Sequence, residues 1–140
     1  MKFVLTAVVL SVLPAATAVA QNRMLAAHIP FDFQIGETPL PAGRYNLDTG
    51  VIPGAILIRR DDLRATAVVL THAVQAKGNV TEGKLVFNRY GEEHFLSQVW
   101  TPGYSQGREL KPSKREREIA RSGSRAPSVV SAAISGAPIK

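Results

Sequence analysis

The side chains of this sequence that could carry out chemistry are three histidines and two pairs of adjacent carboxylates. The histidines are His28, His72 and His94. A zinc site needs three or four ligands that converge on the metal, and no two of these histidines have the spacing of a ligand pair. They also fall on three different predicted elements. We therefore predict no metal site and no cofactor.

The adjacent carboxylates could in principle supply general acid and base catalysis. The pairs are Asp61 with Asp62 and Glu92 with Glu93, and both lie where a predicted strand reverses. Carboxylates at such turns are far more often solvated than catalytic. The sequence also contains no cysteine, no Gly-x-Ser-x-Gly motif and no glycine-rich phosphate loop. We therefore expect no catalytic residues and a protein that is not an enzyme, with a hydrolase kept only as a minor alternative.

A concentration of basic residues toward the C-terminal end is the feature that points to a partner. Residues 21–107 carry eight basic and eight acidic side chains, whereas residues 108–140 carry eight basic and three acidic ones. Such a segment attracts anionic surfaces, for example lipid headgroups or acidic polysaccharide of the cell envelope. The residues predicted to make this contact are Arg108, Lys111, Lys114, Arg115, Arg117, Arg121 and Arg125.

The alternative interpretation of this basic segment is a solvated helix whose charges pair with one another. Arg115 stands three residues before Glu118, and Glu118 stands three residues before Arg121, which is the spacing of ion pairs along a helix. Nucleic acid is a weaker candidate partner, because single-strand binders interleave aromatic with basic residues and this segment does not. We therefore expect no specific nucleic-acid partner.

Aromatic side chains near the ends of predicted strands could line a ligand groove, although such residues more often cover a core. They are Tyr45, Tyr90, Trp100 and Tyr104.

The elements that must position these residues are strands, and the clearest signal is a hairpin over residues 84–100. This stretch is rich in β-branched and aromatic residues, and Gly91 stands where the backbone must reverse. Two registers are open. One pairs Tyr90 with His94, and the other makes a two-residue turn that begins at Gly91 and shifts the pairing by one residue. We favour the first register.

Four shorter stretches complete a predicted set of about six antiparallel strands. Residues 66–74 are apolar on both faces, which is typical of a central strand covered on each side. Glycine and proline separate strands spaced about ten residues apart, which indicates one all-β domain over residues 21–110, a small sandwich or barrel. The other predicted strands cover residues 29–35, 44–47 and 55–59, and the hairpin supplies the last two.

A short basic helix is predicted after the β domain, within residues 111–121. Ser113 and Glu116 have the spacing of a capping box, so the helix should run from Lys114 to about Arg121. Residues 122–140 are rich in alanine, serine and glycine and are predicted to be a disordered tail. Three aliphatic residues leave a weaker case for a short docked segment there, namely Val129, Val130 and Ile134.

The first twenty residues have the three parts of a secretory signal peptide. A basic Lys2 precedes an apolar run, and small residues lead to an Ala-x-Ala site that ends at Ala20. The apolar run is shorter than the about 20 residues that a bilayer-spanning helix needs, so we predict cleavage of residues 1–20 and no transmembrane span afterwards. We expect a periplasmic or extracellular protein that is stabilised without disulfides.

Five sequence motifs together resemble those of a family of small exported bacterial β-rich proteins of uncharacterised function. They are residues 30–33 (Pro-Phe-Asp-Phe), 40–45 (Leu-Pro-Ala-Gly-Arg-Tyr), 89–91 (Arg-Tyr-Gly), 95–100 (Phe-Leu-Ser-Gln-Val-Trp) and 114–118 (Lys-Arg-Glu-Arg-Glu). The resemblance implies export and a β-rich fold, and it assigns no functional residue.

Taken together, these observations favour an exported, non-enzymatic interaction domain or envelope-associated β domain. Its basic C-terminal segment would make a weak contact with an anionic surface. The alternative is a small β-barrel that binds an apolar ligand. An open barrel interior would favour this alternative, and a packed interior would favour the interaction domain.

Overall fold

The computed structural model describes residues 24–78, 80–123 and 126–135. The predicted signal peptide and Arg125 lie outside these ranges. Within them the chain forms the strands β1 (Met24–Ile29), β2 (Phe33–Ile35), β3 (Thr38–Leu40), β4 (Gly43–Asp48), β5 (Ala55–Arg60), β6 (Thr66–Gln75), β7 (Lys84–Tyr90), β8 (Glu93–Trp100), β9 (Gln106–Leu110) and β10 (Ser128–Ser135), and the helix α1 (Lys114–Arg121).

Eight of these strands close into an antiparallel barrel. Their order around the barrel is β8, β7, β10, β1, β4, β5, β6 and β9. The ring closes because Gln98 and Val99 of β8 pair with Glu109 and Arg108 of β9. The β2–β3 hairpin pairs with the first half of β8 through a short parallel contact, Gln34 with Phe95. Of the two predicted architectures, a sandwich and a barrel, the fold is therefore the barrel. The expected number of about six strands was too low.

Alternate residues of each strand face the barrel axis and form one core. Aromatic rings fill its centre: Phe33 stands edge-on to Tyr45 at 5.2 Å between ring centroids and to Phe87 at 5.6 Å. Each of these three side chains is at most 2% exposed. The period of two in the sequence thus becomes an apolar interior and a mixed outer surface.

The β7–β8 hairpin follows the second predicted register, and the favoured pairing of Tyr90 with His94 is wrong. Tyr90 lies opposite Glu93, so that Gly91 and Glu92 form a two-residue turn. Gly91 has a φ of 64°, which a glycine adopts at no steric cost.

A β-bulge in β8 lets both of its central apolar residues reach the core. Phe87 pairs with Leu96 but Val86 pairs with Gln98, so β8 has one residue more than β7 at this point. Leu96 and Val99 are three residues apart and both are buried in the core. Strict alternation could not place both on one face, and neither predicted register included the bulge.

Strand β6 does not have the predicted cover on both faces. Ala67 faces the core and is 7% exposed, whereas Val68 and Leu70 on the outer face are 54% and 76% exposed. A strand of a closed barrel has only one inner face, so its outer face is covered only where another element packs on it. No described element covers the outer face at these two residues.

The predicted strand over residues 29–35 is interrupted. Ile29 ends β1 and Phe33 begins β2, and between them Asp32 accepts a hydrogen bond from the backbone N–H of Ala42 at 2.9 Å. Pro30 cannot donate to a strand ladder, which accounts for the break.

Residues 128–135, which were predicted to lie in a disordered tail, form a barrel strand. β10 pairs with β7 on one side and with β1 on the other. Ala132 is 8% exposed and belongs to the core, and Ile134 packs against that core. The β domain therefore extends beyond residue 110, and α1 is held between two barrel strands. No helix in the described ranges has the length and apolarity needed to cross a bilayer.

Candidate functional site

Helix α1 packs on the outer face of β7 and β8 through one buried carboxylate. Glu116 is 6% exposed, and its Oε1 accepts hydrogen bonds from Asn88 Nδ2 at 2.9 Å and from Tyr90 Oη at 3.3 Å. Burial, reinforced by the charge of Glu116, raises the pKa of Tyr90. Phe95, opposite Asn88 on the same outer face, is 2% exposed and stands edge-on to Tyr90. These contacts fix which side of α1 faces the barrel.

The start of α1 is held by three further interactions. Ser113 accepts a hydrogen bond from the backbone N–H of Glu116 at 3.1 Å, as the capping-box spacing predicts. The backbone N–H of Lys114 donates to Glu37 at 2.8 Å, and Arg115 forms a salt bridge with Glu93 at 3.2 Å. Negative charge near a helix N-terminus is favourable. The helix therefore begins and ends as predicted, although its Glu116 side chain bonds to the barrel.

The side of α1 that faces away from the barrel carries three cations. Successive helix residues are about 100° apart, so Lys114, Arg117 and Arg121 fall within a sector of about 60°. Buried Glu116 and half-buried Ile119 lie on the opposite side. All three basic side chains are exposed. We call Lys114, Arg117 and Arg121 the basic helix face.

The predicted ion pairs within α1 do not form. Among the described residues the salt bridges are Arg60 with Asp62, His72 with Glu109, and Arg115 with Glu93. Glu118 lies on the same side as the basic helix face without an ion pair to it, and reduces its net charge from +3 to +2. The basic helix face is therefore open to an external anion.

The structure separates the seven residues that were predicted to contact an anionic surface. Arg115 is paired with Glu93, and Lys111 is exposed on the segment between β9 and α1. Arg108 lies on β9, away from the helix, and Arg125 is outside the described residues. Lys114, Arg117 and Arg121 are the members that share one surface.

The three histidines lie in separate places. His28 is exposed on β1, His72 contacts Glu109, and His94 stacks on Phe31 with 3.9 Å between ring centroids. Burial lowers the pKa of His94, whose buried Nδ1 has no hydrogen-bond partner among the described residues. Across the described residues, no group of three or more histidine and carboxylate side chains is arranged to hold a metal.

The carboxylate pairs also have structural contacts. Asp61 accepts a hydrogen bond from Asn46 Nδ2 at 3.0 Å, and Asp62 accepts one from the backbone of Arg64 at 3.0 Å. Glu93 is the salt-bridge partner of Arg115. Each of these interactions holds a turn or the helix in place.

No protein-family model, curated protein or solved structure matches this chain. The case for its function therefore rests on its own residues. The role of Glu116 in docking the helix was not predicted from the sequence. Its signal was the pair Asn88 and Tyr90, two residues apart on β7 and hence on one face.

Proposed function

We propose that this protein is an exported, non-enzymatic interaction module of the cell envelope that contacts an anionic surface through the basic helix face. The observation that supports this proposal is the orientation of α1. Docking through Glu116 turns Lys114, Arg117 and Arg121 outward together, and Glu118 on the same side of the helix leaves that side with a net charge of +2. Lipid headgroups or acidic polysaccharide are the partners that such a surface would attract.

The expected affinity is weak. A basic residue close to an anionic membrane contributes about 1 kcal/mol, so a net charge of two corresponds to about 2 kcal/mol, or a factor of about 30 in binding. Salt screens exposed charges over about 8 Å at physiological ionic strength. Adsorption should therefore fall steeply as salt is added.

The packed barrel interior does not favour the alternative of an apolar ligand. Phe33, Tyr45 and Phe87 fill the middle of the barrel, each with at most 2% exposure. Cavities of about 290, 400 and 450 Å³ open at the surface, beside the β2–β3 hairpin, beside the loop that follows β6, and between that loop and the loop that follows β8. An apolar ligand inside the barrel would have to displace core aromatic rings.

Vesicle co-sedimentation tests the proposal on the chain from Gln21 onward, the predicted mature form. The vesicles contain equal parts of phosphatidylglycerol and phosphatidylcholine, and the test variant carries Lys114→Gln, Arg117→Gln and Arg121→Gln. Binding at low salt should fall by at least tenfold.

The matched control changes three exposed cations outside the helix. Arg44→Gln, Arg64→Gln and Lys77→Gln together remove the same net charge from exposed positions. This control should keep most of the binding of the unaltered chain. Equal losses in the two triple variants would mean that net charge alone drives adsorption and would refute a role for the basic helix face.

A further inference from the structure

Arg108 directs a cation toward the barrel interior. On β9 its neighbours Gly107 and Glu109 face outward, while Arg108 pairs with the core residue Val99. Leu110, two residues further along the same strand, is also in the core. Arg108 therefore lies on the inner face of the wall, near the end of the barrel where β4 and β8 finish.

The side chain of Arg108 lines a cavity of about 120 Å³ at this end of the barrel. Arg108 is half-buried, and among the described residues no carboxylate forms a salt bridge with it. A partly buried guanidinium is favourable mainly when an anion or hydrogen-bond acceptors compensate its lost hydration. The other lining residues are Thr49, Val99, Thr101, Tyr104 and Gln106.

The lining contains one cation and no carboxylate. The neighbouring carboxylate of Asp48 is held by the backbone N–H groups of Gly50 and Val51. Thr49, directly after β4, is 7% exposed, and its hydroxyl makes no side-chain hydrogen bond to any residue in the described ranges. The Thr49 hydroxyl is not among the fully buried side-chain atoms that lack a partner in the described ranges, so it is open to the cavity or to solvent. The hydroxyl of Thr49 and the guanidinium of Arg108 are thus two hydrogen-bond donors that line the same cavity.

We propose that this end of the barrel is a binding site for a single small oxyanion, a carboxylate or a phosphate group, with Arg108 as its cation. The planar fork of an arginine matches two oxygens of either group. The volume of about 120 Å³ is well above the about 10–15 Å³ that a single water needs and well below the about 300 Å³ of ordinary ligand pockets. It therefore suits one oxyanion group.

The site is independent of the basic helix face, and the two proposals can fail separately. Arg108 belongs to the barrel wall, whereas Lys114, Arg117 and Arg121 lie on the docked helix. Arg108→Gln should therefore leave vesicle binding unchanged while it weakens anion binding at least tenfold. Arg117→Gln should weaken vesicle binding about fivefold, the effect of about 1 kcal/mol, and leave anion binding unchanged.

Titration followed by NMR tests the site on the isotopically labelled chain from Gln21 onward. Inorganic phosphate and acetate are added separately, with sodium chloride holding the ionic strength constant. We expect saturable shifts of the Arg108 side-chain N–H and the Thr49 amide signals with at least one of the two anions. Saturation by phosphate alone would identify a phosphate site, by acetate alone a carboxylate site, and by both a general oxyanion site.

Two variants keep the test decisive. Arg108→Gln should weaken binding at least tenfold, and Thr49→Val, which retains the cation and the side-chain shape, should weaken it several-fold. Arg117→Gln is the control of equal charge change and should bind the anion as the unaltered chain does. Shifts that grow linearly without saturation, or saturation that persists in Arg108→Gln, would overturn the proposal. If Arg108→Gln did not fold, unaltered binding in Thr49→Val would overturn it.

Discussion

Replacing Gly107 with alanine should destabilise the barrel at the point where it closes. A Cβ atom on Gly107 would stand 2.6 Å from Cε3 and 2.8 Å from Cδ2 of the Trp100 ring. Carbon atoms in contact are normally separated by about 3.5–4.0 Å, so the ring would have to move by about 1 Å. β9 therefore needs a residue without a side chain beneath this indole.

Two contributions make up the expected loss in the free energy of unfolding. Overpacking a well-filled site costs about 1–3 kcal/mol. Moving the ring also disturbs the hydrogen bond that Trp100 Nε1 donates to Gln98 at 3.0 Å, and a neutral hydrogen bond contributes about 1 kcal/mol. The free energy of unfolding of Gly107→Ala should therefore fall by about 2–4 kcal/mol.

Urea denaturation followed by tryptophan fluorescence measures this change, since Trp100 is the only tryptophan of the chain. Gly78→Ala is the matched control, because a Cβ there would meet nothing within 4 Å. The control should unfold within about 0.5 kcal/mol of the unaltered chain, or be slightly more stable. Equal stability of the two alanine variants would refute the packing of Trp100 on Gly107 and with it the geometry of the closure.

Three further predictions concern the helix, one histidine and the last strand. Glu116→Gln should lower the free energy of unfolding by about 1 kcal/mol in urea, because the bonds from Asn88 and Tyr90 lose an ionic acceptor, whereas exposed Glu118→Gln should not. The lowered pKa of His94 means that the unfolded chain binds its proton more tightly, so stability should fall as the pH drops below about 6.5. His94→Phe should lessen that loss in denaturation curves at successive pH values, while exposed His28→Asn should not. Ala132→Asp should cost about 3 kcal/mol or more by placing an unpaired carboxylate in the core, whereas Ala133→Asp on the exposed face of β10 should fold normally in thermal scans. A similar loss in both aspartate variants would contradict the register of β10.

Local sequence signals predicted the elements whose ends are marked by particular residues. The capping box at Ser113 fixed the start of α1, and Gly91 marked the reversal between β7 and β8. Both are interactions between residues close together in the chain. Propensity and spacing carry this information directly.

The features that were missed depend on residues far apart in the chain. The bulge opposite Val86 exists because Leu96 and Val99 must both reach a common core. Residues 122–140 are rich in alanine, serine and glycine, and β10 within them is ordered because β1 and β7 pair with it on both sides. A pattern within residues 122–140 does not show which strands will pair with them.

The candidate site was predictable in its charge but not in its arrangement. From the sequence, Arg108 and Arg115 were predicted to share one surface with the helix cations. The alternation of β9 turns Arg108 inward, and Glu93 on the neighbouring hairpin pairs with Arg115. Both outcomes depend on which strands are neighbours in the barrel, and the sequence does not show that order.

The fold requires the segment after α1 to return to the barrel and to pair as β10 between β7 and β1. Backbone NOEs and amide hydrogen exchange on the chain from Gln21 onward test this most directly. We expect cross-strand contacts between Val130 and Phe87 and between Ala27 and Ile134, with slow exchange along β10. Random-coil shifts and fast exchange over residues 128–135 would contradict the fold, because β7 and β1 would then lack the strand that joins them, and the barrel on which α1 docks would be open.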